Sequence, residues 1–199
     1  MEKELLFSLI STVLLLIGII PLWRDIIRWR TIPHPFTVGV WLILVSINIY
    51  ILYVNKQYIG LFMPIILWVC LAGETLIGSM RIQKLSINWF DFLCLALSVW
   101  CLIYIILFQN LLNAAILTVI IDFLAILPTF KKSWIQPWTE TAWNFFISWI
   151  AQLFTLLALT APNTETLVFW SYVFVMDVLL VIFILSRRYH LKWWHSLFE

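Results

Sequence analysis

Charge is scarce in this chain: Asp, Glu, Lys and Arg together make up 11% of its 199 residues, less than half the share of a typical soluble domain. A surface so poor in ions excludes a water-soluble globular domain. Cysteine is scarce too. The 3 cysteines, Cys70, Cys94 and Cys101, fall inside apolar runs without metal-ligand spacing, so they read as small buried apolar side chains rather than a disulfide framework. The 3 histidines, His34, His190 and His195, all lie outside the apolar runs, which deprives an intramembrane metallohydrolase of its ligands. The last apolar run, 166–186, has no lysine, which excludes a retinal Schiff base. Asp122 and Asp177 could supply the two aspartates of an intramembrane protease, but neither stands in a Gly-x-Gly-Asp or Tyr-Asp context. An enzyme is not expected, and no metal or cofactor is implied.

Hydrophobic residues make up 64% of the chain, 13 Trp among them. Apolar runs recur at about 5–22, 36–54, 59–79, 89–108, 111–128, 142–161 and 166–186, each long enough to cross roughly 30 Å of hydrocarbon as a helix. No stretch alternates polar and apolar residues as a barrel strand does, so the expected fold is an all-α polytopic membrane protein with seven transmembrane helices. The first run begins with mixed charges (Glu2, Lys3, Glu4) and no A-x-A-like cleavage site follows it, which reads as a retained helix. Ten of the 12 Lys and Arg residues fall on one set of connections: Arg24, Arg28 and Arg30; Arg81 and Lys84; Lys131 and Lys132; Arg187, Arg188 and Lys192. Only Lys3 and Lys56 fall on the other. The positive-inside rule then puts the N-terminus outside and the C-terminus in the cytoplasm.

The chain repeats itself. "PFTVGVWLILVS" (Pro35 to Ser46) aligns without a gap on "PWTETAWNFFIS" (Pro137 to Ser148). Upstream, Pro21 in "IIPLWRDIIRWR" and Pro128 in "ILPTFKKSWIQ" each precede basic residues; proline removes a donor and clashes with the preceding turn, so each is expected to end its span and serve as a hinge. The organisation is three helices (1–79), a linker helix (80–108), three helices again (109–186) and a tail (187–199), with the halves related as parallel repeats. In this 3+1+3 arrangement, with a proline at the end of spans 1 and 5, the chain resembles the SWEET and PQ-loop superfamily of membrane carriers, which includes the bacterial nicotinamide riboside carriers. It departs from the name-giving motif, because Leu22 and Thr129 follow the prolines; Pro-Thr is similar to the form in some SWEET-type carriers. The resemblance implies alternating access, with the third helix of each repeat lining the central path.

Ionisable groups at membrane depth are costly and need a reason. Glu74 in span 3 and Asp177 in span 7 fall at nearly the same depth of the two repeats. They are expected to face each other across the path, binding solute or exchanging a proton, or else to fix helix packing. Asp122 precedes Pro128 and reads as support for that turn or a partner for a cytoplasmic Lys. On span 6, Asn144, Ser148, Gln152 and Thr155 share one helical face. Asn144 and Gln152 beside Trp143 and Trp149, with Trp41 and Asn48 on span 2 and Trp170 on span 7, could clamp a polar ring; helix adhesion is the alternative for the stripe. Glu140 in "TET" suits the helix start, where Thr139 or Thr141 could cap, or a gate contact to Lys131 or Lys132.

The leading expectation is a carrier for a small polar solute that is sugar-, nucleoside- or vitamin-like, facilitated or proton-coupled. The alternative is a non-transporting scaffold, sensor or subunit whose basic connections and Trp-rich tail bind anionic lipid or protein. The lipid bilayer and the solute are the expected partners, nucleic acid is not, and a homo-oligomer is left open. The expected location is the cell's inner (plasma) membrane.

Overall fold

A computed structural model describes residues 2–31, 35–79 and 89–198. His34, Arg81 and Lys84 lie outside these residues, as do the side chains of Lys192, Trp193, Trp194 and His195. Among the described residues there is no strand. Seven α-helices follow one another: α1 (Glu2–Ile27), α2 (Pro35–Val54), α3 (Phe62–Ser79), α4 (Trp89–Phe108), α5 (Leu111–Ile135), α6 (Ala142–Leu157) and α7 (Thr164–Phe198). Short 3-10 turns, Ile59–Leu61 and Pro137–Thr139, lead into α3 and α6. Helices α1, α2, α5 and α7, and the segment Ile59–Ile77, are long and apolar enough to cross a membrane, while α4 (as Phe92–Phe108) and α6 are shorter apolar helices. The chain is an all-helical, multi-pass membrane protein.

Local chemistry sets the helix ends. Asn110 caps α5, its side chain accepting from the Asn113 amide at 3.0 Å. Ahead of α7, Asn163 accepts from the Thr166 amide at 3.0 Å while its own amide donates to the Thr166 hydroxyl at 3.1 Å. α1 and α2 end in the same loop: Arg30 N donates to Asp25 O and Trp29 N to Ile26 O, just as Gln57 N donates to Leu52 O and Lys56 N to Tyr53 O. In this arrangement the residue after the helix is left-handed, and here it is Trp29 (φ 59°) and Lys56 (φ 57°) rather than glycine. Helix α6 is shorter than the run 142–161, ending at Leu157. The Thr160 amide bonds to the Gln57 side chain instead of continuing the helix, and Pro162 cannot extend it.

Neither proline ends its helix. Pro21 lies inside α1 and Pro128 inside α5, correcting the expected helix-breaking turns, and Lys131 and Lys132 are helical rather than in a loop. Each proline leaves one carbonyl of the preceding turn, Ile17 or Leu124, without its usual donor. The helix resumes because the residues beyond are held by packing: Leu22 and Ile26 on α1, and Ser133 on α5, are buried. Neighbouring helices make such interruptions tolerable in a membrane.

Helix α3 packs against α1 and α2, and α7 packs against α5 and α6. Between these groups, α1 lies along α6 and α2 along α5, with α4 against α2 and α5. Small and hydroxylated residues allow the close approaches. The Ser11 hydroxyl donates to Ala151 O at 2.8 Å and lies 2.6 Å from the Thr155 hydroxyl. A Cβ on Gly18 would stand 3.1 Å from the Ile147 side chain. Ala114 and Ala115 are fully buried in the main core, which also takes Cys94 and Cys101 from α4.

Candidate functional site

A cavity of about 250 Å³ runs between six helices. Its wall takes Leu15, Ile19 and Leu22 from α1, Thr37, Val38, Trp41, Leu44 and Val45 from α2, and Leu67, Leu71 and Glu74 from α3. The other half supplies Asp122, Ile126, Pro128, Thr129 and Lys132 from α5, Asn144, Phe145, Ser148 and Gln152 from α6, and Phe169, Trp170, Val173, Met176 and Asp177 from α7. Steps of three and four along each helix keep these positions on one face. Thr31 and Glu140, in the connections at the basic end, complete the wall. α4 contributes none of these residues.

Glu74, Asp122 and Asp177 are all buried and all line the cavity. Asp122 has the Trp41 indole N–H and the Tyr172 hydroxyl beside it, and Ser148 stands beside Asp177. The Asp122 charge acts on Asp177, whereas the charged group acting on Glu74 is Glu140. Glu74 and Asp177, expected to face each other across a path, both line this cavity, Asp177 with Asp122 as its acidic neighbour and Glu74 with Glu140. Asp122, expected near the proline turn, lines the cavity wall.

At the basic end Lys132 Nζ pairs with Glu140 Oε1 at 2.9 Å. Burial pushes the Glu140 carboxyl above its ordinary value, and the Lys132 ammonium opposes that rise. The expected capping of α6 is absent: Thr141 precedes the helix without a side-chain cap, because its hydroxyl meets Thr31 at 2.9 Å and donates to Asp25 Oδ2 at 3.2 Å. Thr139 donates instead to Gln136 O. Arg188 fastens the α5–α6 connection from outside, donating to Pro137 O and Glu140 O, with its guanidinium 5.0 Å from the Trp138 ring centre.

The opposite end is tied across the two halves. Gln57, 2% exposed, donates to Ala161 O at 2.7 Å and accepts from the Thr160 amide at 2.9 Å and hydroxyl at 3.0 Å. Beside it, Asn55 donates to Glu165 at 3.1 Å and accepts from Asn163 at 2.7 Å.

Trp41, Glu74, Asn144, Ser148, Gln152, Trp170 and Asp177 all reach the cavity, together with Asp122, Pro128 and Glu140. Other expected residues do not. Trp143 is about half exposed, stacked near Phe146; one residue before Asn144, it points some 100° away around α6. Asn48 shares Trp41's side of α2 but folds its amide back onto Leu44 O at 2.8 Å, beyond the last α2 position of the wall. Pro21 lies beside Leu22 without lining the cavity. Thr155 serves the α1–α6 contact. Tyr172 and the bonding of Gln57 escaped the sequence reading, since a lone Tyr in an aromatic-rich helix and a lone Gln in a short connection carry no pattern. No protein-family model, curated protein or solved structure matches this chain.

Proposed function

We propose that the protein is a carrier that moves a small polar solute across the membrane by alternating access, facilitated or coupled to protons. The observation that carries this reading is the cavity walled by three helices from each half, with aliphatic, aromatic and polar side chains within, while α4 stands outside it. Seven crossings, with the N-terminus outside and the basic end in the cytoplasm, follow from the distribution of Lys and Arg. The inner (plasma) membrane is the proposed location.

Two regularities support a duplicated carrier. When α1, α2 and α3 are exchanged for α5, α6 and α7, the contacts α1–α3, α2–α3 and α1–α6 become α5–α7, α6–α7 and α5–α2, all present, while α4, packed on α2 and α5, stands outside the exchange. The wall repeats on α1 with α5 and on α3 with α7, though not on α2 with α6: counting from Pro21 and Pro128, Leu15 corresponds to Asp122, Ile19 to Ile126 and Leu22 to Thr129. Counting from Pro35 and Pro137, Leu67 corresponds to Phe169, Leu71 to Val173, and Glu74 to Met176, the neighbour of Asp177. This is the organisation that the resemblance to SWEET and PQ-loop carriers leads one to expect.

In this reading the Gln57 and Asn55 contacts close the outer end and the cavity communicates with the cytoplasmic end through Thr31, Lys132 and Glu140. Flux of radiolabelled solutes into liposomes containing the purified protein tests it. Saturable uptake that Asp177→Asn reduces at least tenfold is expected. Uptake no faster than in empty liposomes for sugars, nucleosides, vitamins and amines alike would favour the scaffold or sensor.

A further inference from the structure

We infer that the solute of this cavity is a small organic ammonium ion with N–H donors and an apolar or aromatic body, held by Gln152 and Asp177. The inference rests on the reading of the cavity as a solute site and specifies its cargo. It begins from two acceptor atoms. Gln152 Oε1 and Asp177 Oδ2 have no hydrogen-bond partner, although their residues are only 1% and 7% exposed and both line the cavity. Leaving such atoms unpaired in a dry interior is costly, most of all for a carboxylate. A ligand that brings donors relieves both at once.

Charge narrows the choice. Among the described residues the wall holds four carboxylates, Glu74, Asp122, Glu140 and Asp177, and one cation, Lys132, and Lys132 is paired with Glu140. An anionic solute would meet like charge at every depth, whereas an ammonium meets opposite charge. A sugar brings as many acceptors as donors, whereas the two unpaired atoms, Gln152 Oε1 and Asp177 Oδ2, are both acceptors. Trp41 and Trp170 line the cavity from opposite halves, and indole rings attract cations. The Tyr172 hydroxyl lies beside Asp122, and Asp177 Oδ2 stays open.

Calorimetric titration of the full-length protein in lipid nanodiscs tests this with matched sets on one skeleton: phenethylamine, phenethyl alcohol and hydrocinnamate; tryptamine, tryptophol and indolepropionate; putrescine, butanediol and succinate. At least one amine is expected to bind at least about tenfold tighter than its alcohol and its carboxylate, with Asp177→Asn and Gln152→Leu each weakening it about tenfold. Gln152→Glu adds a carboxylate at the same place and is expected to tighten amine binding, which keeps the test intact where Asp177→Asn fails to fold; Trp143→Ala, outside the cavity, is expected to change nothing. Binding of no amine, equal binding of an alcohol or carboxylate, or folded Gln152 variants that bind as the parent does would overturn the inference. An amine that binds without crossing liposomes leaves it standing and removes the carrier. A neutral solute that crosses while no amine binds does the reverse.

Discussion

At the scale of the residue, Gly18 sets how closely α1 and α6 approach. With the Ile147 side chain 3.1 Å from where a Cβ would stand, Gly18→Leu must push the helices apart, at an expected cost of about 1–3 kcal/mol. Thermal unfolding in detergent should show a lower midpoint for Gly18→Leu and a smaller drop for Gly18→Ala; equal midpoints for all three proteins would mean that the helices are not in contact there. The Lys132–Glu140 pair has a pH signature. A carboxyl whose folded-state pKa is raised contributes least where it must ionise, so stability falls as pH rises through the raised value. Lys132 opposes that rise, and Lys132→Met should therefore lower the midpoint more at pH 8 than at pH 4.5. A gap that does not change with pH would contradict the pairing. Individual side-chain directions were the least legible part of the sequence. Repeat alignment equates Trp143 with Trp41, yet only Trp41 reaches the cavity. The wall of α6 passes through Asn144, one position beyond Trp143 and about 100° around the helix. A rotation of that size depends on what the helix packs against, and α6 lies along α1 as well as α7.

At the scale of the element, the apolar runs marked all seven helices, because a backbone in lipid must satisfy itself and a run of bilayer length has few alternatives. Their ends were less legible: Pro21 and Pro128 interrupt without terminating, and α6 stops early where Gln57, distant in sequence, takes the Thr160 amide. Nothing near Thr160 announces that partner. If the prolines serve as hinges, Pro128→Ala restores a donor to Leu124 O and should raise the unfolding midpoint while slowing solute flux. An unchanged flux with a raised midpoint would remove the hinge role and keep the helix argument. Gln57→Ala leaves the Thr160 amide and Ala161 carbonyl without their partner at the opposite end, a loss of roughly 1–3 kcal/mol. Hydrogen exchange at 158–163 is expected to quicken in that variant, and exchange at the rate of the parent would show that the contact does not hold the loop.

At the scale of the whole molecule, the two halves meet through α1 with α6 and α2 with α5, and the cavity lies between them, fastened at one end by Gln57 and Asn55 and at the other by Thr31, Thr141 and Asp25. A rigid scaffold has no use for a solute-sized space lined by three buried carboxylates, whereas a carrier must open it to each side in turn. Ser148, on the wall and beside Asp177, reports on that directly. With Ser148→Cys as the sole cysteine, oriented proteoliposomes are treated with a membrane-impermeant thiol reagent from one face or the other. The carrier account expects labelling from both faces, and protection from both by a bound solute. Labelling from the cytoplasmic face alone, or from neither, would contradict it.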